Sequence, residues 1–137
     1  MDDLPENVCS GVVIDAAMHV HSTLGSGLLE RAYAKCLAHE LRTRGHTVEV
    51  EVPVDLVYRG TVVDHALRID LLVDGVVVVE VKAVEKLDPA HTAQLLTYLQ
   101  YSGRRVGLLF NFHAPRLKDG MKRVVSTGRM SLRVPSR

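Results

Sequence analysis

An α/β fold, with a mixed central β-sheet flanked by helices, is predicted by three features of this sequence. Apolar residues recur at helical spacing over residues 5–44, the pattern changes to strand-like runs from residue 46, and a helix with clear end signals divides those runs after residue 88. The predicted order is helix, helix, three strands, helix and one or two strands, or ααβββαβ(β).

Each element has a local reason. Pro5 suits a first helical turn, and Val8, Val12, Ala16, Val20 and Leu24 form an apolar stripe, predicting a helix to Leu24. Gly25-Ser26-Gly27 breaks it. A second helix follows over residues 28–44, with Leu29, Tyr33, Cys36, Leu37 and Leu41 inward and Gly45 as its stop. Residues 46–58 and 61–73 read as strands around an Arg59-Gly60 turn. Asp74-Gly75 is a hairpin signal leading into a strand over residues 76–83. Four successive valines there, Val76 to Val79, predict a central strand covered on both faces. Asp88-Pro89 supplies an N-cap and first-turn proline for a third helix ending before Gly103. Residues 106–112 form a buried-type strand, and residues 121–125 a short final one.

The 137 residues suit one domain spanning 1–137, with 47% apolar and 24% charged residues excluding a disordered or fibrous chain. No stretch approaches the ~18 apolar residues of a membrane span, so no membrane partner is expected. The opening MDDLPEN lacks the basic and apolar regions of a signal peptide. Cys9 and Cys36 have no metal-ligand spacing and read as buried free thiols. These features fit a reducing, cytoplasmic setting. The net charge of +1 conceals an asymmetry: residues 1–103 hold eight Lys/Arg against fifteen Asp/Glu, and residues 104–137 hold nine against one. Such a basic C-terminal segment is either a polyanion-binding surface or a solvated tail.

The chemistry concentrates in RIDLLVDGVVVVEVKAVEKL, residues 68–87. Glu80 and Lys82 interrupt a buried-type strand, and they share a face because side chains alternate with period two. Burying charge is costly unless it is paired or holds a metal. Asp70 lies across the hairpin. A two-residue Asp74-Gly75 loop would point Asp70 and Glu80 to opposite faces, so a shared site requires an odd loop or a bulge. The expectation is a three-residue loop, Val73-Asp74-Gly75, with Gly75 left-handed, Asp70 opposite Val78 and Glu80 next along that face. A salt-bridged patch at a sheet end accounts equally well for these residues alone.

Further residues add to the cluster. Gly27, Glu30 and Tyr33 share a helical stripe that turns Glu30 inward, although a first-turn Glu is also favoured by the helix dipole. Gln94 and Tyr98 share a face of the third helix, as a polar rim position and a core tyrosine would. His19 and His21 diverge by roughly 200° around their helix and make no metal pair, leaving His21 a capping or rim role. His91 and His113 offer nothing specific.

LGSGLLERAY, residues 24–33, resembles the signature of the GxxExxY protein family, a branch of the PD-(D/E)XK nuclease superfamily. RIDLLVDG, VVEVKAVEKL, HTAQLLTYL, GLLFNF and MKRVV stand where that family has its motifs, so the resemblance covers about residues 10–125. Val81 replaces the usual Leu, and Leu67 a common aromatic; neither change removes a functional group. The resemblance implies a restriction-endonuclease-like core. It likens Asp70 to the metal-binding aspartate, Glu80 and Lys82 to the (D/E)xK pair, Glu30 to the helix-borne acid, and Gln94 and Tyr98 to the QxxxY element. It adds the Val81 backbone carbonyl as a metal ligand, with Glu30 reaching the ion directly or through water.

Carboxylates, a carbonyl and waters suit Mg²⁺ or Mn²⁺ rather than zinc. The metal would polarise the scissile phosphate, and Lys82 would orient the attacking water or stabilise charge on phosphorus. Gln94 and Tyr98 would position the nucleic-acid strand or the lysine. Arg68 shares parity with Asp70 and is a candidate phosphate contact, beside the commoner role of surface ion pair. The implied activity is metal-dependent hydrolysis of phosphodiester bonds in DNA or RNA. The alternatives are a non-cleaving nucleic-acid-binding module on the same fold, or an interaction domain with an ion-pair network. Small size without a separate DNA-reading domain leaves room for a homodimer or a partner protein.

Overall fold

The computed structural model describes residues 4–127. Helices α1 (Pro5–Leu24) and α2 (Glu30–Thr43) precede strands β1 (Val48–Tyr58), β2 (Thr61–Val73) and β3 (Val77–Lys82). Helix α3 (Pro89–Ser102), strand β4 (Val106–Asn111), a 3₁₀ turn (Leu117–Gly120) and strand β5 (Met121–Val125) follow. The sheet runs β1-β2-β3-β4-β5, parallel between β3 and β4 and antiparallel elsewhere, so it is mixed as expected. A parallel pair needs a long crossover, and α3 supplies it. Helices α1 and α2 cover one face through Val13, Leu37 and Leu41 against Phe110, while α3 covers the other through Leu95 and Leu99 against Ile69 and Val78. No helix among the described residues is long and apolar enough to cross a membrane.

The helix faces differ from expectation for a geometric reason. In α1 the buried set is Cys9, Ser10, Val13, Ala16, Ala17 and Val20, whereas Val8 and Leu24 are exposed. A strict i, i+4 series drifts about 40° per step at 3.6 residues per turn, so Val8 and Leu24 end far apart around the axis. In α2, Tyr33, Leu37, Ala38 and Leu41 are buried. Cys36 points to the opposite side and is exposed, so only Cys9 is a buried thiol. Burial pushes the Cys9 thiol up to about 12, with the charge of Asp74 adding to the rise. Leu29 is not a core residue either: it is the N-cap of α2 and 79% exposed.

Helix α3 is closed by a capping box. Asp88 accepts from the Ala90 N–H at 2.8 Å, and the His91 ring accepts from the Asp88 N–H at 2.9 Å. His91, which offered nothing in the sequence, thus has a defined role. Gly103 ends the helix in the left-handed conformation.

The β2–β3 turn is odd-numbered, as a shared site requires, but it lies one residue later than predicted. Val73 pairs with Val77, so the loop is Asp74-Gly75-Val76, and the same register places Asp70 opposite Glu80 rather than Val78. The cause is Asp74, which adopts φ 52° beside Gly75 at 71°. Its N–H donates to Thr47 O at 2.9 Å; its carboxylate accepts from the Thr47 N–H at 2.9 Å and lies 2.8 Å from the His46 Nδ1. Asp tolerates this backbone region better than most residues, and these external bonds hold it there.

Candidate active site

Strands β2 and β3 pair through Leu71↔Val79 and then part. Beyond that rung the backbone groups need other partners, and the two acids supply them. The Asp70 N–H donates to Glu80 Oε2 at 3.0 Å, and the Val81 N–H donates to Asp70 Oδ2 at 2.8 Å. Each carboxylate thereby crosses the opening between the strands. A strand residue's N–H and C=O point to the same side, so the Val81 carbonyl faces this opening too. In agreement, the next carbonyl, Lys82 O, faces the other way and accepts from the Phe112 N–H at 2.9 Å.

Asp70 also sits where the sheet exchanges faces. In β2, Leu71 and Val73 pack with α1 and α2, while Ile69 and Leu67 pack with α3. Strict alternation would put Ile69, Leu71 and Val73 on one face, so the parity breaks at Asp70. Strand β1 breaks in step: Val48 belongs to the first core and Val52 and Val54 to the second. The step falls at Glu51, which has φ 53°, and the pairing register is unchanged across it, from Val50↔Leu71 to Val52↔Ile69.

Burial raises the pKa of both acids. For Glu80, only 3% exposed, burial and then the charge of Asp70 push it up to about 8. Asp70 is raised chiefly by burial; the Val81 N–H and Lys82 oppose this, and Glu30 adds to it. Without a cation, the pair is most stable holding a proton between them.

The remaining sequence-derived residues surround this pair. Lys82 shares the parity of Glu80, and its Nζ donates to Gln94 Oε1 on α3 at 3.2 Å. Tyr98 lies one turn further along α3; burial, then Glu80 and Asp70, raise its pKa, with Arg68 opposing. Tyr98 therefore remains a protonated hydroxyl at neutral pH. Arg68 itself is exposed and forms no ion pair among the described residues. Glu30 comes from the far side of the sheet, where its Oε2 accepts from the Ala83 N–H at 3.4 Å. Its position is set by Tyr33, whose ring stacks on Phe112 at 4.6 Å. The Tyr33 hydroxyl donates to Gly25 O at 2.5 Å and accepts from the Leu28 N–H at 3.0 Å, closing the α1–α2 turn just before Glu30. His21 lies away from the acids, with Nε2 2.8 Å from Ala114 O.

Sequence reasoning missed several participants. Buried Asn111 accepts from the Val84 N–H and donates to Val84 O, at 3.0 and 2.9 Å, fixing the segment after Lys82. A polar residue ending a run of buried strand positions was its available signal. Arg31, Lys35 and Glu51 line the same cavity of about 520 Å³ as Glu30 and Asp70. They read as ordinary surface charges, since neither the cavity nor the φ of Glu51 is encoded locally.

Among the described residues of the basic segment, the cations named here do not gather into one patch. Arg105 pairs with Glu6 at 2.8 Å, Arg123 donates to Asn7 at 2.6 Å, and Lys122 lines a separate hollow beside α3. Residues 128–137 of that segment lie outside the described residues.

A hard divalent cation fits the donor set. Each acid spends one oxygen on a backbone N–H, and the two carboxyls also bond to each other through a shared proton, which a cation would displace. The donors are then two carboxylate oxygens and the Val81 carbonyl, all oxygen, as Mg²⁺ and Mn²⁺ prefer. No group of three or more His, Cys, Asp or Glu residues arranged for a metal exists among the described residues.

A family model of the PD-(D/E)XK nuclease superfamily matches residues 7–124. No curated protein and no solved structure gives a significant match.

Proposed function

We propose that this chain, which belongs to the PD-(D/E)XK nuclease superfamily, is a nuclease that hydrolyses phosphodiester bonds with Mg²⁺ or Mn²⁺. The observation that carries the reading is the reciprocal bonding of Asp70 and Glu80 across the opening between β2 and β3, with Lys82 two residues on. Two acids held against each other, Glu80 buried and Asp70 half-buried, repel unless they share a proton or bind a cation, and so make a good cation site. The narrower GxxExxY membership is part of this proposal, supported by the placement of Glu30 and Tyr33.

Asp70, Glu80 and the Val81 carbonyl would hold the cation, which would supply Lewis-acid polarisation of a phosphoryl oxygen and acidify its water. Asp70 and Glu80 hold their positions through backbone donors, so their geometry is set before substrate arrives. Lys82, oriented by Gln94, places a positive charge where a phosphorane oxygen or the attacking water sits. The Tyr98 hydroxyl offers a hydrogen-bond donor on the same side, and Arg68 a phosphate contact at the rim. Glu30 orders water at the opposite edge.

The test incubates the protein with single- and double-stranded DNA and RNA, with Mg²⁺, Mn²⁺ or EDTA, beside Asp70→Asn and Lys82→Ala. Metal-dependent cleavage abolished by both substitutions supports the nuclease. Nucleic-acid binding without cleavage, unchanged in both variants, overturns it in favour of a binding module.

A further inference from the structure

The cavity beside Asp70 has a feature the cleavage chemistry does not use. Its α2 wall carries Arg31 and Lys35, four residues apart and so on one stripe of the helix. Three carboxylates, Glu30, Glu51 and Asp70, line the same cavity, yet neither cation forms an ion pair or hydrogen bond with any described residue. Several arginines elsewhere are committed, Arg44 to Asp15 and Glu40, Arg42 to Val48 O and Arg105 to Glu6, whereas Arg68 is not. The floor is aliphatic, from Ala34, Val50, Leu71 and Val81, and no aromatic ring among the described residues lines the cavity. Without a stacking ring it lacks the usual platform for a base, and the two cations on its α2 wall are what a strand's phosphates could meet.

We propose that Arg31 and Lys35 form a phosphate grip, which holds backbone phosphates next to the scissile one and leads the strand along α2 toward Asp70. This rests on the nuclease reading for its substrate, and adds which wall the strand follows and that it is held by phosphate alone. Two cations one helical turn apart stand about 5–6 Å apart at their Cβ atoms, which allows them to meet successive phosphates of one strand. Glu30 and Asp70 repel those same phosphates, so the strand is drawn to the cationic wall and reaches the acids only where a metal offsets their charge. Recognition there is independent of base sequence.

The test measures binding of a fluorescent oligonucleotide in EDTA across salt concentrations, for wild type, the Arg31→Ala/Lys35→Ala double variant and an Arg59→Gln control at the hairpin tip. Two lost phosphate contacts lower the slope of log K against log salt by about 1.8 on duplex DNA or about 1.4 on a single strand. The control keeps the wild-type slope. Where wild type cleaves, the double variant shows a KM raised roughly tenfold, with kcat at saturation within about threefold. An unchanged slope in the double variant, or an equal fall in the control, overturns the grip. Because binding is read without metal, it tests the grip even if wild type cleaves nothing, and that failure counts only against the nuclease reading.

Discussion

Replacing Glu80 by Gln should stabilise the metal-free protein at high pH. The Glu80 carboxyl has an ordinary value of 4.5 and stands at about 8 in the fold, so the folded state holds its proton more tightly than the unfolded one. Stability from this group is therefore full below about pH 4.5 and drains as pH rises to about 8, because the unfolded chain then releases a proton the folded chain retains. At ~1.4 kcal/mol per pH unit, the interval corresponds to at most about 5 kcal/mol by pH 9. Asp70, also raised, adds with the same sign. That is a large share of the roughly 5–15 kcal/mol typical of a domain. Glutamine keeps a side-chain oxygen to accept the Asp70 N–H but carries no charge. Urea unfolding in EDTA at pH 5 and pH 9 should show wild type losing several kcal/mol and Glu80→Gln losing little. Added Mg²⁺ should recover wild type at pH 9 and leave the variant nearly unmoved. A variant whose stability falls in parallel with wild type would refute the buried acid pair as the origin of the pH dependence.

Other consequences are equally direct. Tyr33→Phe keeps the stack on Phe112 but strips the two bonds that close the α1–α2 turn, and urea denaturation should show a loss of about 1–3 kcal/mol. Gly107→Ala brings a methyl to 2.8 Å from Leu95 Cδ1 in the fully buried α3–β4 contact; thermal unfolding should report about 1–3 kcal/mol, and no change would mean Leu95 is free to swing. For Asp74, burial pushes the pKa up but the bonds from His46 and Thr47 outweigh it, so the net shift is downward. Its stabilisation is present above its ordinary value of 3.8 and lost as pH falls through its lowered value; the gap in urea midpoint between wild type and Asp74→Asn should close toward pH 3.

What the sequence disclosed tracks how local each cause is. Helix α3 was legible to its ends because Asp88, Pro89 and Gly103 act within a turn of themselves. The limits of α1 were legible too, but not its buried face, because counting by fours ignores the drift of the helix. The parity requirement for an odd β2–β3 loop was sound, yet the loop shifted because Asp74 answers to His46 and Thr47, 28 and 27 residues away. Asp70, Glu80 and Lys82 were visible as charges in an apolar run. The face exchange at Glu51 and Asp70 was not, since Val48, Val52 and Val54 stand at alternate positions as in any regular strand while packing into two different cores.

That exchange makes the β1–β2 hairpin a single ribbon threaded between two cores. Its root is anchored beneath α1 and α2, its outer half beneath α3, and the crossing point is the acid at the centre of the candidate site. Length changes along the ribbon should then be unequal in effect. Residues added at the Arg59-Gly60 tip lengthen a free end and disturb neither core. A single residue added between Ile69 and Leu71 inverts every side chain on one side of the crossing, expelling one core's leucines and moving Asp70 out of the opening it bridges. Drift in this protein's length is thus expected at the tip of the hairpin and barred at its middle.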